Sequence, residues 1–336
     1  MLNRTEQEIM QDWKETADGL PAVSIKCLAY NHEKYIEDAL DSFLMQKTNF
    51  PFEIVVHDDA STDQTAAIIR RYQEAYPHIM KPILETENQY SKGNGRLNQI
   101  VDARIRGKYV TLCEGDDYWT DEQKLQLQFD AMEKHPEIDL CAHTVCEVDA
   151  RTGEIRGYIK PVEEDTILPV EKVIAGGGGF VGTNSLFYRR EMIEHVLPFR
   201  KVYEVDYSLQ VMGALRGGIL YLERCMSKYR FMTEGSWSSK YTQEETVNKI
   251  NVKWTAMVEQ LDRDTEGKYH EIIETYLAFR EVDRLLRFHH YRELKKYRNI
   301  YQKAEGKERK KFYFRLRFPR TYEVLKKTRD TIRKAK

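Results

Sequence analysis

The chain has 336 residues, 41% of them hydrophobic and 32% charged, with a formal net charge of −1. That length can bury a large core, and the composition is that of a water-soluble globular protein rather than a disordered or collagenous one. No apolar run approaches the eighteen or so residues of a spanning helix, and residues 1–19 lack the apolar core of a signal peptide, so residence in the cytoplasm is expected.

Five cysteines with no Cys-x-x-Cys pair point to neither a disulfide framework nor a zinc site. The small net charge hides a division. Residues 301–336 hold fourteen Lys or Arg against four Asp or Glu, a local +10, so the other 300 residues carry −11. An acidic body and a basic tail need separate explanations.

In chain order, residues 1–20 read as a leading arm or short helix. A strand is expected over 23–28, followed by a polar turn at Ala29, Tyr30, Asn31 and His32. Ile36, Ala39, Leu40, Phe43 and Leu44 then recur at helical spacing. Residues 52–56 read as a second strand, and Ser61 with Gln64 fits a capping box opening the next helix. A brief strand at 83–84, a Gly-containing loop over 89–96, a helix to about 106 and a strand over 109–113 complete a βαβα alternation. Such alternation at short intervals predicts a parallel sheet with crossover helices, and a doubly wound nucleotide-binding half over about 21–120. Beyond it the pattern predicts a helix from 121 to about 136, strands over 139–148, 183–188 and 219–222, and irregular chain over 150–170. The four glycines 176–179 mark a hinge or a close backbone approach, and from 242 onward the pattern is helical, interrupted by Pro319.

Two acidic clusters end two of the apolar runs: Asp58, Asp59 and Asp63 in one, Glu114, Asp116 and Asp117 in the other. Adjacent carboxylates repel, and burying them unpaired is costly, so such clusters face a cation, hydrogen-bond donors or water. On neighbouring parallel strands they would meet at the carboxyl ends, where open α/β sheets bind ligands. A nucleotide held through a divalent metal suits that arrangement. The competing reading of the first cluster is helix capping. One acid suffices for a cap, so at least one of the three is expected to bind ligand.

The chain resembles family 2 inverting glycosyltransferases of the GT-A fold, of the type that builds bacterial capsule and lipopolysaccharide. The resemblance rests on Val23-Ser24-Ile25 with Ala29-Tyr30-Asn31, on Asp58-Asp59-Ala60-Ser61-Thr62-Asp63-Gln64-Thr65, and on Glu114-Gly115-Asp116-Asp117-Tyr118-Trp119 with Lys124-Leu125. Glu204-Val205-Asp206-Tyr207 and Tyr229-Arg230 before Gly235-Ser236-Trp237 extend it to about residue 240. It implies an α/β fold with a Rossmann-like, mostly parallel sheet flanked by helices, and a helical C-terminal extension. The expected divisions are an arm over 1–20, a GT-A domain over 21–240 with a nucleotide-sugar half at 21–120 and an acceptor half at 121–240, and a basic extension over 241–336.

The resemblance also implies the chemistry. Asp59 would accept from the base of a nucleotide sugar, foremost a UDP-sugar, with Tyr30 stacking nearby and Ala29 and Asn31 in the same turn. Asp116 would hold the ribose and Asp117 would reach Mg²⁺ or Mn²⁺ on the diphosphate, where a few carboxylates suffice. Arg96 and Arg230 would lie near the diphosphate, and Trp237 would shape the sugar or acceptor pocket. Asp206 would be the general base that deprotonates the acceptor hydroxyl, its rival role being the N-cap of the following helix. Glu114 stands where many relatives carry Asp, and Met232 where they often carry His. No Gln-x-x-Arg-Trp signature of processive relatives occurs, so the expectation is transfer of one sugar per encounter, with inversion, to a glycan or lipid-linked saccharide. Aromatics interleaved with Lys and Arg over 307–336 suit an anionic membrane surface, equally a helix packed on the acidic body, and no nucleic-acid recognition motif accompanies the charge. That would make the protein cytoplasmic and peripheral on the inner face of the membrane. Two other functions fit parts of the pattern: a Mg²⁺-dependent phosphoryl-accepting signalling domain, and a catalytically inactive glycan-binding protein of the same fold.

Overall fold

The computed structural model describes residues 4–93, 95–233, 243–297, 299–303, 306–322 and 324–325. The chain divides into two compact units, residues 1–240 and 241–336.

The first unit is built on one sheet. Its strands are β1 (Val23–Ala29), β2 (Phe52–Asp58), β3 (Ile83–Leu84), β4 (Tyr109–Leu112), β5 (Tyr118–Trp119), β6 (Leu140–Asp149), β7 (Ile155–Ile159), β8 (Thr166–Leu168), β9 (Phe187–Arg189) and β10 (Ile219–Phe231). Their spatial order is β3-β2-β1-β4-β9-β6-β10-β5, with β7 beside β6 and β8 beside β10. The pairs β3–β2, β2–β1 and β1–β4 are parallel. β9 is antiparallel to both β4 and β6, and parallel pairing returns between β6 and β10. Strands β1 to β4 are therefore parallel to one another, and the rest of the sheet is mixed.

Every residue of β2 is buried and six of seven in β1 are buried, which is why apolar residues, such as Val23, Ile25 and Cys27 in β1 and Ile54, Val55 and Val56 in β2, dominate them. The helix Ile36–Leu44 buries Ile36, Ala39, Leu40, Phe43 and Leu44 in the main core. Each such side chain contributes about 1.5–3 kcal/mol by leaving water. Because β1 pairs with β2 on one side and β4 on the other, the loops after all three strands open at one end of the sheet. Both acidic clusters stand there.

The leading arm forms a helix, Glu6–Met10, inside the first unit. Ile9 joins its core, and the buried Glu6 accepts from the backbone N–H groups of His78 (2.8 Å) and Ile79 (3.0 Å).

Four local expectations are corrected. Ser61 and Gln64 form no capping box: the helix runs Thr65–Ala75 without a side-chain cap at Gln64, and Ser61 Oγ instead accepts from Asn31 N at 2.8 Å. A tertiary partner has taken the hydroxyl that a local cap would have used. Residues 183–185 form a 3₁₀ turn rather than strand, β9 beginning only at Phe187. The segment 150–170 contains β7 and β8, whose exposed faces gave no apolar periodicity. The helix expected from 121 starts at Lys124, because Tyr118 and Trp119 are drawn into pairing with β10.

In the second unit, helices Glu244–Asp264 and His270–Arg287 are followed by short 3₁₀ turns and a helix Gly306–Arg317. Phe312 packs with Val282, Leu285, Leu286 and Leu294, with Leu316 partly buried against them. Tyr313, Phe318, Val324 and Leu325 remain exposed. Among the described residues no helix is long and apolar enough to cross a membrane.

Candidate active site

The end of β1 organises the site. Ala29 O accepts from Asp59 N at 3.0 Å and Leu28 O accepts from Gly115 N at 2.8 Å, so the loops after β2 and β4 are both tied to β1. Asn31 has φ +56°. Its N–H reaches Ser61 Oγ, and its Oδ1 accepts from Thr62 N at 2.8 Å. Gly115 is required sterically: a Cβ there would come within 2.9 Å of both His32 Nδ1 and Ile36 Cδ1.

In the first acidic cluster each carboxylate has its own internal donors. Asp58 accepts from Ser61 N (3.2 Å), and Asp63 accepts from Thr65 N (2.9 Å) and Glu33 N (3.0 Å). Asp59, 3% exposed, accepts from Gln89 N (2.6 Å) and Tyr90 N (3.0 Å). It fixes the 89–90 loop. Tyr30 and Tyr90 are 46% and 59% exposed; Tyr90 N donates to Asp59, and Asp59 N donates to the carbonyl of Ala29, the residue before Tyr30. No sequence signal marked Tyr90.

The second cluster splits into outward and inward acids. Asp117 is 2% exposed; its Oδ1 accepts from Arg230 N and its Oδ2 from Asn184 Nδ2, both at 2.9 Å. Burial first, then the neighbouring Asp116 and Glu114, hold its pKa well above the ordinary aspartate value, against the Arg230 N–H. Glu114 is solvent-exposed at the rim, yet crowding by protein, Asp116 and Asp206 push its pKa up to about 8. Asp116 accepts from Thr233 Oγ1 at 2.6 Å through Oδ2. Each Asp117 oxygen thus meets one internal donor, and Glu114 is the acid of this cluster that faces outward.

Arg230 is likewise engaged internally. Its guanidinium donates to Asp116 O at 2.9 Å and to the Asp38 carboxylate, and lies 4.3 Å from the centroid of the Tyr118 ring. It braces the acid loop.

Asp206 is the first residue of the helix Asp206–Ala214, not its N-cap, which is Val205. It is solvent-exposed. Its Oδ2 accepts from Thr183 Oγ1, and surrounding protein raises its pKa against the pull of Thr183 and Arg200. Arg200 holds the segment by donating to Val205 O (3.3 Å) and Ser208 Oγ (3.1 Å). The 95–98 loop reaches this segment too. Asn98 donates to Glu204 Oε2 at 2.8 Å, and Gly95, at φ +72°, starts the helix on which the exposed Arg96 is the first residue. Trp237 lies outside the described residues.

Residues 24–197 match the family described as glycosyl transferase family 2. The chain belongs to that family. An uncharacterized protein of Mycobacterium tuberculosis is 39% identical over 220 residues, 66% of this chain and 62% of the relative, so the match spans about three-fifths of that relative's length. The crystal structure of Staphylococcus aureus TarS 1-349 in complex with UDP is similar at a TM-score of 0.57 and 17% identity, covering 86% of this chain and 77% of that one. A mannosyltransferase from Pyrobaculum calidifontis, solved with GDP-Man and Mn²⁺, is similar at 0.53 and 17% identity, over 82% and 75% of the two chains. The expected α/β fold, with helices flanking a central sheet and a helical C-terminal region, is the fold of these glycosyltransferases. Family membership sets aside the phosphoryl-accepting domain.

Proposed function

We propose that this protein transfers a single sugar from a nucleotide-sugar donor to a hydroxyl of a glycan acceptor, with inversion. The observation that carries the reading is that one turn joins the acid loop 114–117 to Asp206: Thr183 donates to the Asp206 carboxylate and the adjacent Asn184 donates to Asp117 at 2.9 Å.

Tyr30 and Tyr90 would stack on the nucleoside, and the loop held by Asp59 would supply its edge contacts. Base–aromatic stacking is worth about 1–3 kcal/mol. Among the described residues no group of three or more His, Cys, Asp and Glu forms a metal site. Glu114 and Asp116 nonetheless fit Mg²⁺ or Mn²⁺, hard ions that accept few carboxylates when phosphate oxygens complete the shell. Such an ion neutralises charge on the departing diphosphate. Asp117, bound by Asn184 and the Arg230 backbone, would set the position of these two acids.

Asp206 would remove the proton of the attacking hydroxyl as the new glycosidic bond forms on the face opposite the leaving group. Its raised pKa suits a base near neutral pH better than an ordinary aspartate would. The structural relatives solved with UDP and with GDP-Man and Mn²⁺ support a nucleotide-sugar donor and a divalent ion. TarS, a poly(ribitol-phosphate) beta-N-acetylglucosaminyltransferase, supports a surface polymer as acceptor. The exposed Tyr313 and Phe318 on the basic helix of the second unit support contact with an anionic membrane surface.

The test is release of nucleoside diphosphate from UDP-GlcNAc or GDP-mannose by the purified chain with Mn²⁺. Loss of release in both Glu114→Gln and Asp206→Asn, with unchanged folding, is expected. Binding without release by the unaltered chain would favour an inactive glycan-binding protein.

A further inference from the structure

Two adjacent residues touch the two halves of the site. Thr183 donates its hydroxyl to Asp206 Oδ2, and Asn184 donates Nδ2 to Asp117 Oδ2 at 2.9 Å. They occupy the single turn Thr183–Ser185 before β9, and no family motif or periodicity marks them.

The turn is rigidly held. Ser227 Oγ donates to Asn184 Oδ1 at 2.8 Å, while Asn184 Nδ2 also donates to Lys228 O at 3.0 Å. Asn184 O accepts from Trp119 Nε1 at 3.2 Å. Both amide hydrogens and the amide oxygen are thereby used, which fixes the orientation of the amide: only the nitrogen can face a carboxylate. Ser185 O accepts from Gln128 Nε2 at 2.9 Å, and Gln128 Oε1 in turn accepts from the buried Lys124 at 2.8 Å. Asn184 is 2% exposed, and Thr183 is half-buried at the rim. A turn serving only the fold would direct both polar groups to backbone or solvent. Here each is directed to a carboxylate of the site.

We propose that Thr183 and Asn184 form one positioning element for transfer: Thr183 orients the Asp206 carboxylate while Asn184 holds the donor-side acid loop through Asp117, so that one turn sets the spacing between base and donor. The inference rests on the reading of Asp206 as general base. An acid held by one neutral hydroxyl keeps its second oxygen for the acceptor proton. Removing the hydroxyl releases the carboxylate to other rotamers without removing the base.

The test uses the full chain with Mn²⁺ and whichever of UDP-GlcNAc and GDP-mannose it hydrolyses faster, in five variants: Thr183→Val, Thr183→Ser, Asp206→Asn, the Thr183→Val/Asp206→Asn pair, and Asn184→Ala. A hydrogen bond to a charged group of ordinary strength predicts a kcat about ten- to a hundredfold lower for Thr183→Val, with donor KM within about twofold. Thr183→Ser restores kcat, and the double variant is no slower than Asp206→Asn alone, because both changes act through one carboxylate. Asn184→Ala raises donor KM more than it lowers kcat. Wild-type kcat in Thr183→Val, failure of Thr183→Ser to rescue, or losses that multiply in the double variant would each overturn the proposal. Undiminished turnover in Asp206→Asn would instead overturn the assignment of the base. Should Asn184→Ala not fold, the Thr183 series decides alone.

Discussion

Arg230 and Asp117 are joined through the Arg230 backbone, whose N–H donates to Asp117 Oδ1 at 2.9 Å, while the Arg230 side chain turns back to Asp116 O and Asp38. β10 thus delivers a main-chain donor to the buried acid and a guanidinium to the loop around it. Two residues that resemble ligand contacts in the sequence together hold the acid loop in place.

Asp117 should therefore behave as a structural acid. Asp117→Ala leaves the Asn184 amide and the Arg230 N–H without their acceptor, each costing about 1–3 kcal/mol when buried and unpaired. A lower urea midpoint is expected in that variant. Glu114→Gln, changed at an exposed rim position, should not lower the midpoint but should lose Mn²⁺-dependent donor binding. Equal midpoints in the two variants would contradict the division into inward and outward acids.

The Glu114 pKa of about 8, against an ordinary value of 4.5, has two consequences with definite sign. The folded chain holds a proton that the unfolded chain has released, so without a divalent ion the stability contributed by this group is complete below pH 4.5 and is lost as pH rises towards 8. Ion binding needs the carboxylate and must expel that proton, so Mn²⁺ affinity in the presence of UDP should rise as pH rises towards 8. Titration calorimetry in buffers of different ionisation enthalpy would detect the proton released near pH 7. An affinity independent of pH would remove Glu114 from the ligand set.

Tyr90→Ala should raise donor KM about ten- to a hundredfold by loss of a stacking face, with Tyr90→Phe near wild type. Tyr30→Ala should act in the same direction. A kcat effect without a KM effect would argue against a nucleoside contact.

Deleting residues 307–336 removes most of the basic excess and the exposed Tyr313 and Phe318. Flotation with liposomes containing anionic lipid should fall in the deletion variant and, for the full chain, fall with added salt. Flotation unchanged by the deletion would place any membrane contact elsewhere.

Much of this was legible in the residues themselves. The apolar runs of β1, β2 and β4 and the acids that end them mark both the sheet and its binding end, since a strand buried on both faces is mostly apolar and must stop where charges begin. The antiparallel insertion of β9 was not legible, because three residues carry too little periodicity to separate a strand from a turn. In the first cluster, Asp59 and Asp63 each meet a backbone N–H thirty residues away in the chain, of Gln89 and Glu33, which spacing along the sequence does not show.

By itself, then, the sequence determined the α/β class, the family and the segments that meet at the sheet's carboxyl end, because strand burial and acid placement are local patterns that survive in one dimension. Tertiary structure alone decided which acid of each cluster faces inward. That choice depends on donors such as Asn184 and the Arg230 N–H, 67 and 113 residues from Asp117 in the chain, and no spacing rule relates groups that only the folded sheet brings into contact.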